Sequence, residues 1–474
     1  MPFKPQTLSP SASEIQVNSE LDILILAAGL GTRMRSGKAK VLHQLDGRPL
    51  IAHVCETAAK LEPANIFVVV GHQADKVEEA VRAEFADKRI AFVRQERQLG
   101  TGDAVASARK ALDGRNSTLL ILSGDVPLIS VETLNRFVEQ HAATKASATI
   151  LTVTLDDPTG YGRVVRSQDD AFECIVEQKD ASPFELEVDE INSGIYCFET
   201  PKLFAALAKV SNENAQGEYY LTDVPGILKN EGETVALFHH TDPLEIEGVN
   251  DRRQLAEMER RLRLRTVERL MLESGVTFTD PASVCISSRA AIGRDTVVYQ
   301  NVTIEGRTTI GENCIIRPGT RISASKLGSN VEIRDNCLIA DSTVADNCIV
   351  GPMAHLRGHA EMAEDSRVGN FVELKKTHLG KGSKANHLTY LGDATIGEKT
   401  NIGAGTITCN YDGKNKNPTT IGDRVKIGSD TMLVAPVKVG DDAVTAAGSV
   451  VIEDVPEKSL VAGVPAKVKK SVSK

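Results

Sequence analysis

Tryptophan is absent from the sequence, and aromatic residues make up only 4% of its 474 residues. A hydrophobic core must therefore consist mainly of Val, Ile, Leu and Ala. No stretch approaches the roughly 20 consecutive apolar residues that a transmembrane helix needs, so we expect no membrane segment. Acidic residues outnumber basic ones by 64 to 55, and the net charge of −9 argues against a nucleic-acid partner or an anionic-membrane surface.

The N-terminal segment MPFKPQTLSPSASEIQVNSE lacks the apolar region of a secretory signal. Its Pro and Ser content predicts a disordered leader over 1–20. No C-x-x-C pair occurs among the eight cysteines, which are Cys55, Cys174, Cys197, Cys285, Cys314, Cys337, Cys348 and Cys409. Scattered cysteines in apolar segments indicate buried, reduced thiols and predict a cytoplasmic protein.

Residues 21–250 alternate apolar runs with amphipathic stretches. This alternation predicts an α/β doubly wound, Rossmann-like domain with a parallel sheet. Ligands of such sheets bind at the carboxyl ends of the strands. Three apolar runs end there in suitable residues, namely Gly29, Gly71 and Asp125. Residues 251–275, rich in Arg, Glu and Leu, then predict a linker helix closed by a glycine.

From residue 276 the apolar period changes to six. Aliphatic residues form three ladders: Ile292, Val298, Ile304, Ile310, Ile316 and Ile322; then Leu338, Val344, Val350, Leu356, Met362, Val368 and Leu374; then Ile421, Ile427, Leu433 and Val439. A period of six is typical of a hexapeptide parallel β-helix, in which each repeat is a short strand and a turn. We predict this fold for 276–474, with extra residues looping out at the breaks 323–327, 375–390 and 409–420.

A candidate phosphate-binding loop follows the first apolar run directly, with the sequence LAAGLGTRM from Leu26 to Met34. Glycines let the backbone approach a phosphate, and the N-terminus of a following helix would offer free N–H groups. Arg33 and Lys40 add positive charge that suits a triphosphate.

Further motifs in the first half carry a resemblance to sugar-nucleotide pyrophosphorylases: QERQLGTG at 95–102, SGDVPL at 123–128, GYGR at 160–163, IVE at 175–177, INSG at 191–194 and GVN at 248–250. Joined to a hexapeptide β-helix, residues 21–468 resemble the bacterial bifunctional N-acetylglucosamine-1-phosphate uridyltransferase/glucosamine-1-phosphate acetyltransferases. The resemblance implies a left-handed β-helix. It also implies acetylation of glucosamine 1-phosphate by acetyl-CoA, followed by transfer of UMP from UTP with release of pyrophosphate.

The same resemblance implies roles in the first half. Arg33 and Lys40 would act on phosphates as catalytic residues. Mg²⁺ would be held by Asp125 and Asn250, and one carboxylate with one amide oxygen suits its preference for few protein oxygens. UTP and the sugar nucleotide would be bound by Leu26, Ala27, Ala28, Gly29, Lys40, Gln95, Gly100, Thr101, Ser123, Gly124, Asp125, Gly162, Glu177, Asn192 and Asn250. Ser123 departs from the family, which often has an aromatic residue before the Gly-Asp pair.

A polar cluster in the β-helix half predicts a second site, because a structural prism has no need of it. The resemblance makes His387 the general base that deprotonates the amino group, a task suited to neutral imidazole, with Glu373 as its orienting partner. Glucosamine 1-phosphate would be bound by Arg357, Lys375, Tyr390 and Asn401. Acetyl-CoA would be bound by Ala404, Asn410, Tyr411, Ser429, Ala447 and Gly463, although the family usually has a cation where Gly463 stands.

The resemblance further implies a homotrimer with acetyl sites at subunit boundaries. Three alternatives stay open. The chain could be a single-activity sugar-1-phosphate nucleotidyltransferase with a structural or regulatory β-helix. The β-helix could instead bind a metal ion in the manner of a carbonic anhydrase, which requires three suitably placed imidazoles among His355, His359, His378 and His387. A purely structural scaffold is the third.

Overall fold

The computed structural model describes residues 18–85 and 89–471. Most of the predicted leader, residues 1–17, lies outside the described residues. The remaining three, Asn18 to Glu20, already belong to the first strand. The chain divides into two compact units, Met1–Met258 and Glu259–Lys474.

The first unit is an α/β sheet domain. Its strands are β1 Asn18–Ala27, β2 Gln44–Leu45, β3 Arg48–Pro49, β4 Pro63–Val70, β5 Ile90–Arg94, β6 Thr118–Ser123, β7 Ala148–Thr154, β8 Arg163–Arg166, β9 Phe172–Val176, β10 Glu190–Glu199 and β11 Val235–His240. Its helices are α1 Leu50–Lys60, α2 Ala74–Glu84, α3 Thr101–Ser107, α4 Val131–Thr144, α5 Thr200–Leu207, α6 Asp223–Asn230 and α7 Pro243–Ile246. The central sheet has the order β11-β7-β10-β6-β1-β4-β5.

Strand β1 lies inside the sheet because it is apolar on both faces. Ile23 and Ile25 pack into one hydrophobic cluster and Leu24 into another, and all three are fully buried. Strands buried on both faces are typical of doubly wound sheets. Since β1 runs parallel to β4 and β6, the carboxyl ends of all three meet at one edge. The phosphate-loop motif and Asp125 both emerge at this edge.

The predicted parallel sheet also contains antiparallel strands, since β8 pairs antiparallel with β9, and β10 is reversed relative to both β6 and β7. An apolar run encodes burial but not direction, so the sequence pattern could not reveal this reversal. The reversal brings the beginning of β10 to the ligand edge. A Cβ on Gly194 would lie 3.2 Å from Ser123 Oγ, which puts Asn192 in the same region.

Helix α8, Arg252–Ser274, ends before Gly275, whose φ of 68° suits a residue without a Cβ. The division between the two units falls within this helix. Val267 and Leu270, in its second half, pack into the core of the β-helix. None of the helices among the described residues is long and apolar enough to cross a membrane.

The second unit is a parallel β-helix. Its strands are β12 Thr277–Phe278, β13 Cys285–Ile286, β14 Ala291–Ile292, β15 Val297–Val298, β16 Thr303–Glu305, β17 Thr309–Ile310, β18 Ile315–Ile316, β19 Arg321–Ser323, β20 Lys326–Leu327, β21 Glu332–Ile333, β22 Leu338–Ala340, β23 Thr343–Val344, β24 Ile349–Val350, β25 His355–Arg357, β26 Glu361–Met362, β27 Arg367–Lys375, β28 His378–Leu379, β29 Lys384–Gly392, β30 Ala394–Ile396, β31 Asn401–Ile402, β32 Ile407–Cys409, β33 Thr419–Ile421, β34 Lys426–Ile427, β35 Met432–Val434, β36 Val437–Val439, β37 Val444–Thr445, β38 Val450–Val451, β39 Ser459–Ala462 and β40 Lys467–Ser471. Apart from the antiparallel β39–β40 pair, its strands pair in parallel with the equivalent strand of the next coil.

The aliphatic ladders form the core of this unit, as a hexapeptide period requires. One ladder position is wrong: Leu338 is 40% exposed, and its neighbour Ile339 is fully buried instead. The reason is that some repeats have five residues, as between the inward Ile339 and Val344. Such shortened repeats also explain the breaks at 323–327 and 375–390, so no loop leaves the prism there. The break at 409–420 does hold an excursion, closed by a bridge between Tyr411 and Lys416.

Candidate functional sites

A cavity of about 410 Å³ opens at the carboxyl edge of the sheet in the first unit. Ten predicted residues line it: Leu26, Ala27, Ala28, Gly29, Lys40, Gln95, Gly100, Thr101, Ser123 and Asp125. It is also lined by Leu30, Thr32 and Gln98, which belong to the motifs LAAGLGTRM and QERQLGTG, and by Val41, Ala104 and Glu218, which were not predicted. Glu218 comes from a distant loop without a strand or helix signal, so only tertiary structure could reveal its place.

Charged and amide groups converge at one end of this cavity. The Lys40 ammonium pairs with Asp125 Oδ2 and lies 3.3 Å from Asn250 Oδ1. Arg33 Nη2 donates to the same Asn250 oxygen at 2.8 Å. Gly31 permits this arrangement, because its φ is 62° and a Cβ there would come within 2.6 Å of Lys40 Cβ. The side-chain oxygens of Asp125 and Asn250 thus both face the Lys40 ammonium.

The cavity-lining loop around Gly100 is joined to Tyr219 by two backbone hydrogen bonds. Gly102 N donates to Tyr219 O, and Tyr219 N donates to Leu99 O, each at 2.8 Å. Gln95 Nε2 donates to Gly100 O at 3.2 Å and to Asp103 Oδ2 at 2.7 Å. The loop around Gly100 therefore has hydrogen-bond partners in both Tyr219 and Gln95.

Three further predicted residues, Gly162, Glu177 and Asn192, do not line this cavity but lie close to one another. Asn192 N donates to Gly162 O at 2.9 Å, and a Cβ on Gly162 would stand 3.6 Å from Glu177 Oε1. Thr222 Oγ1 donates to Glu177 Oε1 at 3.1 Å. Burial raises the pKa of Glu177 above its usual value, against the opposing effect of the Thr222 hydrogen bond.

We expect Glu177→Gln to stabilise the protein more at pH 8 than at pH 4.5. Because the pKa of Glu177 is higher in the folded chain, the folded chain keeps the carboxyl proton at pH values where the unfolded chain has lost it. The free energy of unfolding therefore falls as the pH rises from the unfolded pKa through the folded pKa. Glutamine cannot ionise, so the variant does not lose this stability at high pH. Thermal unfolding at both pH values measures the effect, with Glu187→Gln on an exposed side chain as control. Equal shifts at both pH values would contradict it.

In the second unit His387 lies exposed at a corner of the prism, within β29. Its Nδ1 is 2.6 Å from Asn370 Oδ1 in the neighbouring coil. An amide oxygen only accepts hydrogen bonds, so a neutral imidazole that donates to it from Nδ1 keeps its lone pair on Nε2. The ring is thereby poised to accept a proton at Nε2.

Glu373 is not the partner of His387, contrary to the prediction. Its carboxylate accepts a hydrogen bond from Arg357 Nε at 2.7 Å, and its register partner in the next coil is Tyr390. Coil register explains the difference, since Asn370 is directly paired with His387. Arg357 is also paired with Lys375, so two predicted phosphate ligands occupy equivalent places in adjacent coils.

Four of the residues predicted to bind acetyl-CoA stack in a single file with His387. Strand pairing connects Lys384 to Asn401, Lys426, Val444 and Leu460 in successive coils. Three residues further along each coil stand His387, Ala404, Ser429, Ala447 and Gly463. We call Ala404, Ser429, Ala447 and Gly463 the small-residue file. Its members stand at equivalent positions in successive coils, in line with His387.

The remaining predicted residues flank the small-residue file. Asn401 lies on the face before the His387 corner, and Tyr390 lies on the face after it. Asn410 is buried, whereas Tyr411 is 57% exposed at the base of the 409–420 excursion. Lys416 stacks 4.5 Å from the centre of the Tyr411 ring. Asp412 accepts hydrogen bonds from the Lys414 and Asn415 amides, which lower its pKa to about 2.

A carbonic-anhydrase-type metal site finds no support in this geometry. His378 contacts Glu361 and His387 contacts Asn370. Within 18–85 and 89–471 no three His, Cys, Asp or Glu side chains are grouped so that they could hold a metal ion.

A phosphate-loop sheet domain followed by a hexapeptide β-helix defines a nucleotidyltransferase joined to a hexapeptide acyltransferase. Family models agree: residues 23–215 match a MobA-like NTP transferase domain, residues 282–378 a GMPPB C-terminal domain, and residues 418–453 six bacterial transferase hexapeptide repeats. A solved UDP-glucose pyrophosphorylase in complex with UDP-glucose aligns to 50% of this chain and 96% of its own, with 17% identity and a TM-score of 0.42.

Similarity to curated proteins extends over almost the whole chain. The bifunctional protein GlmU of Syntrophomonas wolfei is 49% identical over 93% of this chain and 97% of its own. That of Geobacter metallireducens is 50% identical over 93% and 95%, and that of Shouchella clausii 47% identical over 92% and 95%. The chain belongs to the GlmU family. The predicted fold class, with its left-handed β-helix, and the predicted bifunctional uridyltransferase–acetyltransferase are confirmed.

Proposed function

We propose that the second unit acetylates glucosamine 1-phosphate and that the first unit converts the product to UDP-N-acetylglucosamine. The observation that carries this proposal is the His387–Asn370 pair at the end of the small-residue file. A nucleotidyltransferase with a merely structural β-helix would have no use for an imidazole oriented by a hydrogen bond there.

In acetyl transfer, His387 Nε2 removes a proton from the amino group of glucosamine 1-phosphate. The amine nitrogen attacks the thioester carbon of acetyl-CoA at the same time. The carbon–sulfur bond then breaks and CoA leaves as the thiolate, which takes up a proton. Arg357 and Lys375 bind the phosphate of the sugar, while Tyr390 and Asn401 contact the ring. Side chains as small as Ala404 and Ala447 leave room for the pantetheine arm along the prism.

In uridylyl transfer, a phosphate oxygen of N-acetylglucosamine 1-phosphate attacks the α-phosphorus of UTP, and the bond to the β-phosphate breaks to release pyrophosphate. The nucleophile is already anionic, so no strong general base is needed. Arg33 and Lys40 stabilise charge on the phosphates. The residues around Gln95 and Gly100 hold the uridine, and Gly162, Glu177 and Asn192 hold the sugar.

Asp125 and Asn250 are the proposed Mg²⁺ ligands. Their oxygens fit a hard cation, because both already face the Lys40 ammonium. Mg²⁺ bound there would neutralise phosphate charge and favour departure of pyrophosphate. In this structure the Lys40 ammonium compensates the Asp125 carboxylate, and its charge also suits a substrate phosphate.

The two-step function is tested with purified protein, glucosamine 1-phosphate, acetyl-CoA, UTP and Mg²⁺. UDP-N-acetylglucosamine should form, and omission of acetyl-CoA should stop its formation. If N-acetylglucosamine 1-phosphate supplied directly were the only sugar used, the chain would be a single-activity uridyltransferase.

We expect the chain to be a trimer in solution and Leu388→Glu to dissociate it. The exposed apolar side chains Met353, Phe371 and Leu388, which we call the apolar corner row, stand beside His387 with exposed fractions of 45%, 54% and 62%. A second copy that covers them would also enclose the base. Sedimentation equilibrium would show the mass fall to that of one chain, with acetyl transfer lost and uridylyl transfer kept. A wild-type monomer with full acetyl transfer would refute this assembly.

A further inference from the structure

Asn410 connects a residue proposed to contact the sugar with the segment proposed to bind acetyl-CoA. Its Nδ2 donates to Asp393 Oδ2 at 2.6 Å and lies 3.5 Å from the hydroxyl of Tyr390, a proposed sugar contact. Its backbone belongs to the segment proposed to bind acetyl-CoA. The amide is buried, so its orientation is set by these neighbours rather than by solvent.

The Asp393 carboxylate determines which end of the Asn410 amide faces it. An ionised carboxylate only accepts hydrogen bonds, so only the NH₂ end of the amide can point to it. The carbonyl oxygen Oδ1 must then point away. Among the described residues no donor contacts that oxygen, which leaves it available to an N–H group of a substrate.

Asp393 is itself held in place by the preceding coil of the β-helix. It adopts a φ of 49°, and its N–H donates to Lys375 O at 2.9 Å. The preceding Gly392 allows close packing, because a Cβ there would come within 2.4 Å of Tyr390 Oη and 2.7 Å of Asn410 Nδ2. The carboxylate is thus fixed between a proposed phosphate ligand and a proposed acetyl-CoA ligand.

We propose that Asp393 is a positioning residue for acetyl transfer, which locks the Asn410 amide so that its carbonyl accepts a hydrogen bond from a substrate N–H. Acetyl-CoA offers such groups in its pantetheine amides, and the sugar offers one in its amine. This inference rests on the proposed acetyl transfer of the second unit.

Asp393→Asn tests the proposal. A neutral amide at 393 can face Asn410 with either end, so the Asn410 amide is no longer locked. We expect kcat/KM for acetyl transfer to fall about tenfold or more, with uridylyl transfer and the melting temperature little changed. Separate titrations of acetyl-CoA and glucosamine 1-phosphate show whose KM rises, and hence which N–H is bound. Asp365→Asn, a turn residue with a φ of 61°, is the matched control.

The double variant D393N/N410D separates positioning from a structural role. Its carboxylate at 410 accepts from the amide at 393 and still presents an acceptor oxygen to the substrate. We expect recovery to within about threefold of the wild type. Undiminished activity of D393N, or no recovery in the double variant, would overturn the proposal. A wild-type chain without acetyl transfer would instead overturn the proposed function on which it rests.

Discussion

His387→Ala is expected to lower acetyl transfer by about 10²- to 10⁴-fold, the usual contribution of a general base. The variant loses the imidazole at the end of the small-residue file that Asn370 orients for proton transfer. Uridylyl transfer from N-acetylglucosamine 1-phosphate should continue at the wild-type rate, because its residues lie in the other unit. Release of CoA thiol and of pyrophosphate measures the two reactions separately.

His378→Ala is the matched control for this variant. His378 is also exposed on the β-helix, but it contacts Glu361 on another face. The His378→Ala variant should retain both acetyl transfer and uridylyl transfer. Equal loss of both reactions in His387→Ala would argue against two independent sites, and full acetyl transfer would remove His387 from the mechanism.

Asp125→Asn should produce the opposite pattern, with uridylyl transfer reduced about 100-fold or more and acetyl transfer preserved. The substitution keeps the shape of the side chain but removes the charge that balances Lys40 and attracts the proposed metal ion. We expect the Mg²⁺ concentration for half-maximal activity to rise. Pyrophosphate release over a Mg²⁺ titration measures both effects.

Asp113→Asn provides the comparison, because Asp113 precedes β6 at the opposite edge of the sheet and is exposed. Its uridylyl transfer should match that of the wild type. Normal activity of Asp125→Asn with an unchanged Mg²⁺ requirement would show that Asp125 is not a metal ligand.

Much of the nucleotide site could be predicted because its residues are close together in short motifs. A strand, a glycine turn and nearby cations predict a phosphate loop locally, and most of the residues named there line the cavity. Glu218 was missed because it approaches from a separate loop through backbone contacts of its neighbour Tyr219. Backbone hydrogen bonds do not depend on the type of side chain, so the sequence does not indicate them.

The hydrogen-bond partner of His387 could not be predicted from the sequence of the second unit. Glutamate is the more familiar partner of a catalytic imidazole, and Glu373 is close in sequence to Asn370. Pairing of β27 with β29 nevertheless places Asn370 opposite His387 and Glu373 opposite Tyr390. A shift of one position along a strand moves a side chain to the other face, so residue type alone could not decide between them.

The sequence by itself determined the two-part architecture, because burial of apolar residues at a period of six is a local requirement of every β-helix coil. It likewise determined the strand and glycine turn that start the nucleotide site. Tertiary structure alone decided the direction of β10, the convergence of Lys40, Asp125 and Asn250, and the alignment of His387 with the small-residue file. These features depend on which strands become neighbours and on the varying number of residues in each coil, and both are fixed only when distant segments pack together.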